Sequence, residues 1–148
     1  MKQRGFTLVE LLVVIGILAV LLSIVLIAIN PARQFSQANN TKRASDVNAI
    51  LNAIHQYAAD NKGAIPAGIT TTAQTISDTA ANICSAVVPT YIAALPADPT
   101  INNGAAVTDC AAVGGYTTGY TVVKSATDNR ITVTAPSAEL SQTISVTR

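Results

Sequence analysis

Tryptophan is absent from this chain of 148 residues, and histidine and methionine occur once each. The single histidine, His55, has no carboxylate partner nearby in sequence, and no serine or cysteine sits in a nucleophile motif. Acid–base or nucleophilic catalysis therefore has no constellation to work with. His55 reads as a solvated or partly packed helix residue, and the chain as a non-enzyme. Charge is scarce too, with only 11% of residues charged. Lys42-Arg43 is the one basic pair and reads as a solvated helix face. Without clustered Lys and Arg there is no footprint for nucleic acid. Gly114-Gly115 and Gly119 lack the Gly-Lys-Ser/Thr ending of a phosphate loop and read as a turn or bulge. Cys84 and Cys110 are the only cysteines. With no third cysteine or local histidine they make no zinc site. In an oxidising compartment they read as a bridge closing a loop of about 27 residues, worth roughly 3 kcal/mol. Two free buried thiols are the alternative. No cofactor and no metal are expected.

What the chain does have is grease at its front. Residues 4–29 read RGFTLVELLVVIGILAVLLSIVLIAI; from Leu11 to Ile29 nothing is charged, and Ser23 is the only hydroxyl. At about 1.5 Å per helical residue the run can cross a hydrocarbon core of roughly 30 Å. It exceeds the h-region of a secretory signal peptide, and Ile27-Ala28-Ile29-Asn30 is a poor small-x-small cleavage site. An ordinary membrane anchor would need neither Gly5 nor Glu10. A carboxylate in such a segment is costly and calls for a partner. Cleavage between Gly5 and Phe6 would create one, an α-ammonium four residues before Glu10; before the cut, Phe6 N is a neutral amide. Thr7-Leu8-Val9-Glu10 is also an S/T-x-x-E capping box, which explains Glu10 but not Arg4-Gly5.

The stretch Arg4-Gly5-Phe6-Thr7-Leu8-Val9-Glu10 resembles the prepilin cleavage and methylation signature of type IV pilins and type II secretion pseudopilins. The resemblance implies a membrane-embedded prepilin peptidase and methyltransferase that cuts after Gly5 and N-methylates Phe6. It implies that Glu10 neutralises the Phe6 amine of a neighbouring subunit during filament assembly. Weaker likeness runs further: Tyr57-Ala58-Ala59-Asp60-Asn61-Lys62-Gly63-Ala64-Ile65-Pro66 is similar to the segment closing the long helix in this family. Tyr91-Ile92-Ala93-Ala94-Leu95-Pro96-Ala97-Asp98-Pro99 is similar to a stretch of major pseudopilins and related pilins. The likeness to major pseudopilins hints at Ca²⁺ near Asp98 and Asp109; turn-forming Asp residues are the plainer reading. The implied partners are identical or homologous subunits, the peptidase, inner-membrane assembly machinery, and lipid before assembly. The implied location is a single-pass membrane precursor that becomes an extracellular pilus or an envelope pseudopilus. The Leu-Pro-x-Asp-Pro stretch leans towards pseudopilin; the cysteine-containing insert and the missing Trp lean towards a pilus serving adhesion, motility or DNA uptake.

The chain divides as residues 1–5, a leader; 6–30, a transmembrane and assembly half-helix; 31–62, an amphipathic half-helix; and 63–148, a head. Losing Lys2 and Arg4 with the leader leaves seven basic against eight acidic residues, a formal side-chain charge of −1. One long helix is expected from about Phe6 to Lys62, kinked at Pro31. Val47, Ile50, Leu51, Ile54, Tyr57 and Ala58 form its apolar stripe, and Asn61-Lys62-Gly63 stops it. Gly16 and Ala19 offer small surfaces for close helix approach, or simple core spacing. A short helix is expected around Ile76–Ala86 and an extended connection over Pro89–Pro99. Strands are expected at Tyr116–Ser125, Arg130–Ala135 and Leu140–Val146, with a turn at Ala126-Thr127-Asp128-Asn129. The predicted fold is α+β, a long kinked helix packed on a small antiparallel sheet.

Overall fold

A computed structural model describes residues 5–148. Met1–Arg4, which make up all but Gly5 of the segment read as a leader, lie outside the described residues. The chain divides into two compact units after Phe35.

In the first unit, helix α1 spans Leu8–Ile29 and none of its residues is buried. Thr7 caps it in extended conformation, its side chain accepting from the Glu10 N–H. Val and Ile are middling helix formers in water. In lipid a helix is the way such a segment satisfies its own backbone. At 22 residues, α1 is about 33 Å long, enough to cross a bilayer core. It ends at Asn30, which adopts a left-handed conformation (φ 46°, ψ 79°). Helix α2, Pro31–Asp60, begins at the next residue. The helical run is thus two helices, and the backbone turns aside at Asn30. Pro31 bars its predecessor from helical φ/ψ, and Asn tolerates the left-handed region better than most residues. Asn30 also starts α2, where its carbonyl accepts from Arg33 N–H at 3.1 Å and Gln34 N–H at 3.3 Å. Proline fits the first helical position because its missing N–H has no partner there anyway.

The second unit is the head, built on the rest of α2. Val47, Ile50, Leu51, Ala53 and Ile54 are buried along one face. Tyr57, lower on the same face, is half-buried and meets Tyr91 edge-on at 5.8 Å between ring centroids. The helix stops in a Schellman-like turn: Lys62 is left-handed and Gly63 N–H reaches back to the Ala58 carbonyl at 2.8 Å.

Across from α2 lies a four-stranded antiparallel sheet in the order β1-β2-β3-β4. The strands are β1 Gln74–Ser77, β2 Thr117–Lys124, β3 Ile131–Ala135 and β4 Ile144–Thr147. Period-two alternation sends Tyr120, Val122, Ile131, Val133 and Ala135 into the core. Their neighbours Thr121 and Thr134 face away and sit opposite each other in the register. Leu51 is completely buried among these side chains. Leu51→Ala is expected to cost about 2–5 kcal/mol of head stability, read by denaturant unfolding of the full chain in detergent.

Two expectations need correction. The segment Ile76–Ala86 is not one helix: Gln74–Ser77 is a fourth strand, and only Cys84–Val87 is helical (α3). The strand pairs with β2, and Ile76 within it is fully buried in the core. The Pro89–Pro99 connection is also not merely extended. Leu95 pairs with Val107 through two backbone hydrogen bonds of 2.9 and 2.7 Å, which folds the cysteine-containing insert back on itself.

Candidate assembly segment and buried ion pair

The first candidate site sits at the front of α1. Gly5 and Phe6 are exposed, Phe6 at 85%. The Glu10 carboxylate turns back on the cap, where Oε2 accepts from Thr7 N–H and Thr7 Oγ1, both at 2.7 Å. That completes the capping box. It satisfies hydrogen bonds but supplies no positive charge, and Glu10 forms no ion pair among the described residues. A carboxylate in an apolar segment is costly without a cation beside it.

The second site lies inside the head and was not expected. Lys42 is exposed and donates to the Gly104 carbonyl at 3.1 Å. Arg43, read from sequence as solvated, is fully buried. Its guanidinium grips Asp98 with two bonds, Nε to Oδ2 at 2.7 Å and Nη2 to Oδ1 at 3.1 Å. Nη1 donates to Glu139 Oε2 at 2.8 Å and to Asn40 Oδ1 at 3.0 Å. Thr100 donates to Asp98 Oδ1 from its N–H at 2.9 Å and its hydroxyl at 2.6 Å. Ser36 and Asn39 complete the shell of Glu139. A Cβ on Gly119 would sit 3.1 Å from Asp98 Cβ, and its φ is +77°, so glycine alone allows the loop this close.

The electrostatics follow from this geometry. Burial pushes the Asp98 carboxyl up, but the hydrogen bonds from Arg43 and Thr100 outweigh it and hold it below the usual range. Glu139 is lowered by its bond from Arg43 and then by Asn39. Arg43 is held firmly protonated by Asp98. Nearby, Tyr120 donates to Asp46 Oδ2 at 2.7 Å, and burial raises both groups. Asp98 is thus committed to Arg43, and Asp109 caps a turn by accepting from Ala111 N–H at 2.9 Å. Among the described residues no group of three or more His, Cys, Asp or Glu is arranged to hold a metal.

Sequence reasoning missed Arg43 and Glu139, yet a signal was present. Positions 36, 39, 40 and 43 continue the stripe of 47, 50, 51 and 54 one turn at a time. The same helix face is polar at its start and apolar further on. His55 stands beside that stripe, half-buried, and its Nε2 makes no hydrogen bond among the described residues.

Cys84 and Cys110 are bonded, with Cα atoms 5.5 Å apart and a separation of 26 in sequence number. The bridge encloses the segment that carries Asp98. Cys84 is fully buried, and its N–H donates to the Tyr116 hydroxyl at 3.3 Å. Reduction of the full chain is expected to lower head stability by roughly 3 kcal/mol. Parallel urea unfolding with and without reductant measures it.

Among known proteins, the prokaryotic N-terminal methylation motif matches residues 1–26. The type II secretion system core protein G of Escherichia coli (strain K12) is 45% identical over 60 residues. That match spans 40% of this chain and 40% of the other protein's length. No solved structure matches the chain. The chain thus carries a prokaryotic N-terminal methylation motif ahead of and within an exposed apolar helix, and part of it is similar to a type II secretion pseudopilin, the core protein G.

Proposed function

We propose that this chain is the structural subunit of a type IV pilus, processed by prepilin peptidase and assembled through α1. The observation that carries the reading is α1 itself, apolar and uncovered from Leu8 to Ile29, with a lone carboxylate at its front. A surface of that kind needs a bilayer or other copies of α1 around it. Residues 1–5 are the leader, 6–30 the membrane and assembly half, 31–62 the amphipathic half and 63–148 the head. The basic leader stays in the cytoplasm and the head lies outside. The peptidase cuts between Gly5 and Phe6 and methylates the new amine, which remains charged. Glu10 then pairs with the Phe6 amine of the neighbouring subunit. Lipid and the helix bundle are both apolar, so moving α1 between them gains little hydrophobic free energy. Close approach at Gly16 and Ala19 and the Glu10 pair decide the balance. The break at Asn30-Pro31 gives the helix a place to bend as subunits pack. The bridge between Cys84 and Cys110 suits a head in an oxidising space.

A second reading is a pseudopilin whose short envelope filament serves type II secretion. The similarity to a core protein G and the Leu95-Pro96-Ala97-Asp98-Pro99 stretch favour it. Mass spectrometry of filaments sheared from cells tests both. Dominant protein beginning at N-methylated Phe6 supports the pilus. The same processed form confined to the membrane fraction supports the pseudopilin. Met1–Gly5 retained everywhere in cells with an active prepilin peptidase overturns both.

A further inference from the structure

We propose that the start of α2 is a second membrane contact: on the side where the head emerges, Arg33 holds a phosphate of an anionic lipid headgroup and Phe35 rests at the boundary between headgroups and acyl chains. The proposal rests on the reading above that α1 spans the bilayer before assembly, and it names the lipid chemistry met there.

Both side chains are uncommitted. Phe35 is 72% exposed, as bare as the large apolar residues of α1, which stand 49–83% exposed. The first compact unit runs through Phe35, and the next residue, Ser36, already bonds to Glu139 of the head at 3.2 Å. Arg33 is exposed and is the only charged residue from Leu11 to Thr41. It forms no ion pair among the described residues; the acids Asp98 and Glu139 are taken by Arg43. Nor does Arg33 serve its own helix, since a cation in the first turn opposes the helix dipole, and no acid stands in that turn to balance it.

Depth puts the two at the membrane surface. The 22 residues of α1 measure about 33 Å and fill a hydrocarbon core of roughly 30 Å, so Ile29 lies at one boundary. Arg33 follows Ile29 by four residues and Phe35 by six. Drawn out straight through Asn30, these are no more than roughly 11 and 14 Å of chain. The left-handed turn at Asn30 shortens both. The headgroup layer is itself about 5–8 Å deep on each side, and an arginine stem can snorkel across it.

The pairing suits a lipid surface better than a groove on a protein. Two positions apart on a helix, Arg33 and Phe35 point about 200° apart around the axis. A groove would meet one of them and leave the other in water. At an interface the charge turns out to phosphate and the ring turns in to the acyl chains, as in helices that lie along a membrane surface. The planar guanidinium matches two phosphate oxygens at once and keeps its charge at any working pH.

The chain has no tryptophan, so Phe35→Trp reports from position 35 alone. The full chain is placed in vesicles of phosphatidylcholine with phosphatidylglycerol as the minor lipid, brominated either shallow or deep along the acyl chains. Shallow bromines are expected to quench the emission of Phe35→Trp most, while Leu18→Trp, near the middle of α1, responds most to deep ones. In a second arm the bromines are carried by phosphatidylglycerol alone or by the same amount of phosphatidylcholine. Brominated phosphatidylglycerol is expected to quench Phe35→Trp about twofold more, an excess that vanishes when Arg33→Gln is added. All three positions are exposed, so the Cys84–Cys110 bridge should form in every variant. An unquenched Phe35→Trp beside a quenched Leu18→Trp overturns the contact and leaves the membrane-spanning reading standing. If that same Trp is shielded from water in sheared filaments, the surface belongs to a neighbouring copy instead. Both reporters unquenched overturns both readings. Equal quenching by the two brominated lipids overturns the phosphate contact at Arg33, and with it the proposal.

Discussion

Glu10→Gln is expected to leave α1 folded and capped while cutting filament yield by roughly two orders of magnitude. Glutamine keeps an oxygen where Glu10 Oε2 now accepts from Thr7 N–H at 2.7 Å, and the bond from the backbone N–H of residue 10 to Thr7 Oγ1 is untouched. The substitution removes charge and little else. Before assembly that makes α1 cheaper to hold in lipid, so the precursor should accumulate in the membrane at or above its usual level. After cleavage the Phe6 amine of the next subunit meets a neutral amide where it needs a carboxylate, in a place poor in water. An ammonium left unpaired there opposes assembly, and no hydrophobic gain offsets it. Filament yield by shearing, beside the membrane level and N-terminal mass of the variant, measures the effect. Mature Phe6 in the membrane with few filaments is the expected pattern. A parental yield of filaments would sink the charge-pairing idea and leave Glu10 as a helix cap.

Legibility of this chain tracks the distance over which its residues act. The front of α1 could be read because its information is local: apolar length, and Thr7 three residues before Glu10. Strands β2 and β3 could be read because Tyr120, Val122, Ile131 and Val133 alternate with polar neighbours over several residues. Strand β1 could not. Its four residues QTIS lie in a run of small and hydroxylated residues, and what makes them a strand is β2, some 40 positions later. Pro31 announced a break, but the residue that changes hand is Asn30, since a proline restricts its predecessor as much as itself. Arg43 was misread for a sound reason: taking a guanidinium out of water is costly, so solvation is the default. Its partner Asp98 is 55 residues away and Glu139 is 96. Only the helical phase of position 43, in line with Val47 and Ile50, pointed inward.

That buried pair carries the largest stability effect expected in the head. Asp98→Ala leaves the buried Arg43 with only the partly exposed Glu139 for its charge, and breaking a buried pair from one side costs about 3–5 kcal/mol, here at the low end. Small domains have about 5–15 kcal/mol in total, so this is a large share. Urea unfolding of the full chain in detergent should show the midpoint fall sharply. Arg43→Met combined with Asp98→Leu removes the two fully buried charges and leaves Glu139, which is partly exposed to water, and is expected to recover much of the loss, because the cost lies in the under-compensated buried charge more than in the missing bond. A double variant as unstable as Asp98→Ala would mean that the network positions the loop rather than balancing charge. Acid adds an independent reading. Asp98 and Glu139 are held below their ordinary values in the folded head. Between the folded and unfolded values the unfolded chain therefore binds more protons, and stability falls as pH drops. Their contribution is whole above about pH 4–5, where unfolded carboxylates are ionised, and disappears as pH falls through the folded values. Asp46 runs the other way: burial raises it, so its protonation on acidification favours the folded head and blunts the first part of the decline. Asp98→Asn should flatten the acid limb of the stability curve, while Asp46→Asn should steepen its beginning. Opposite signs from two carboxylates that both surround Tyr120 would identify the pairing of Asp98 with Arg43, rather than burial as such, as the source of the acid sensitivity.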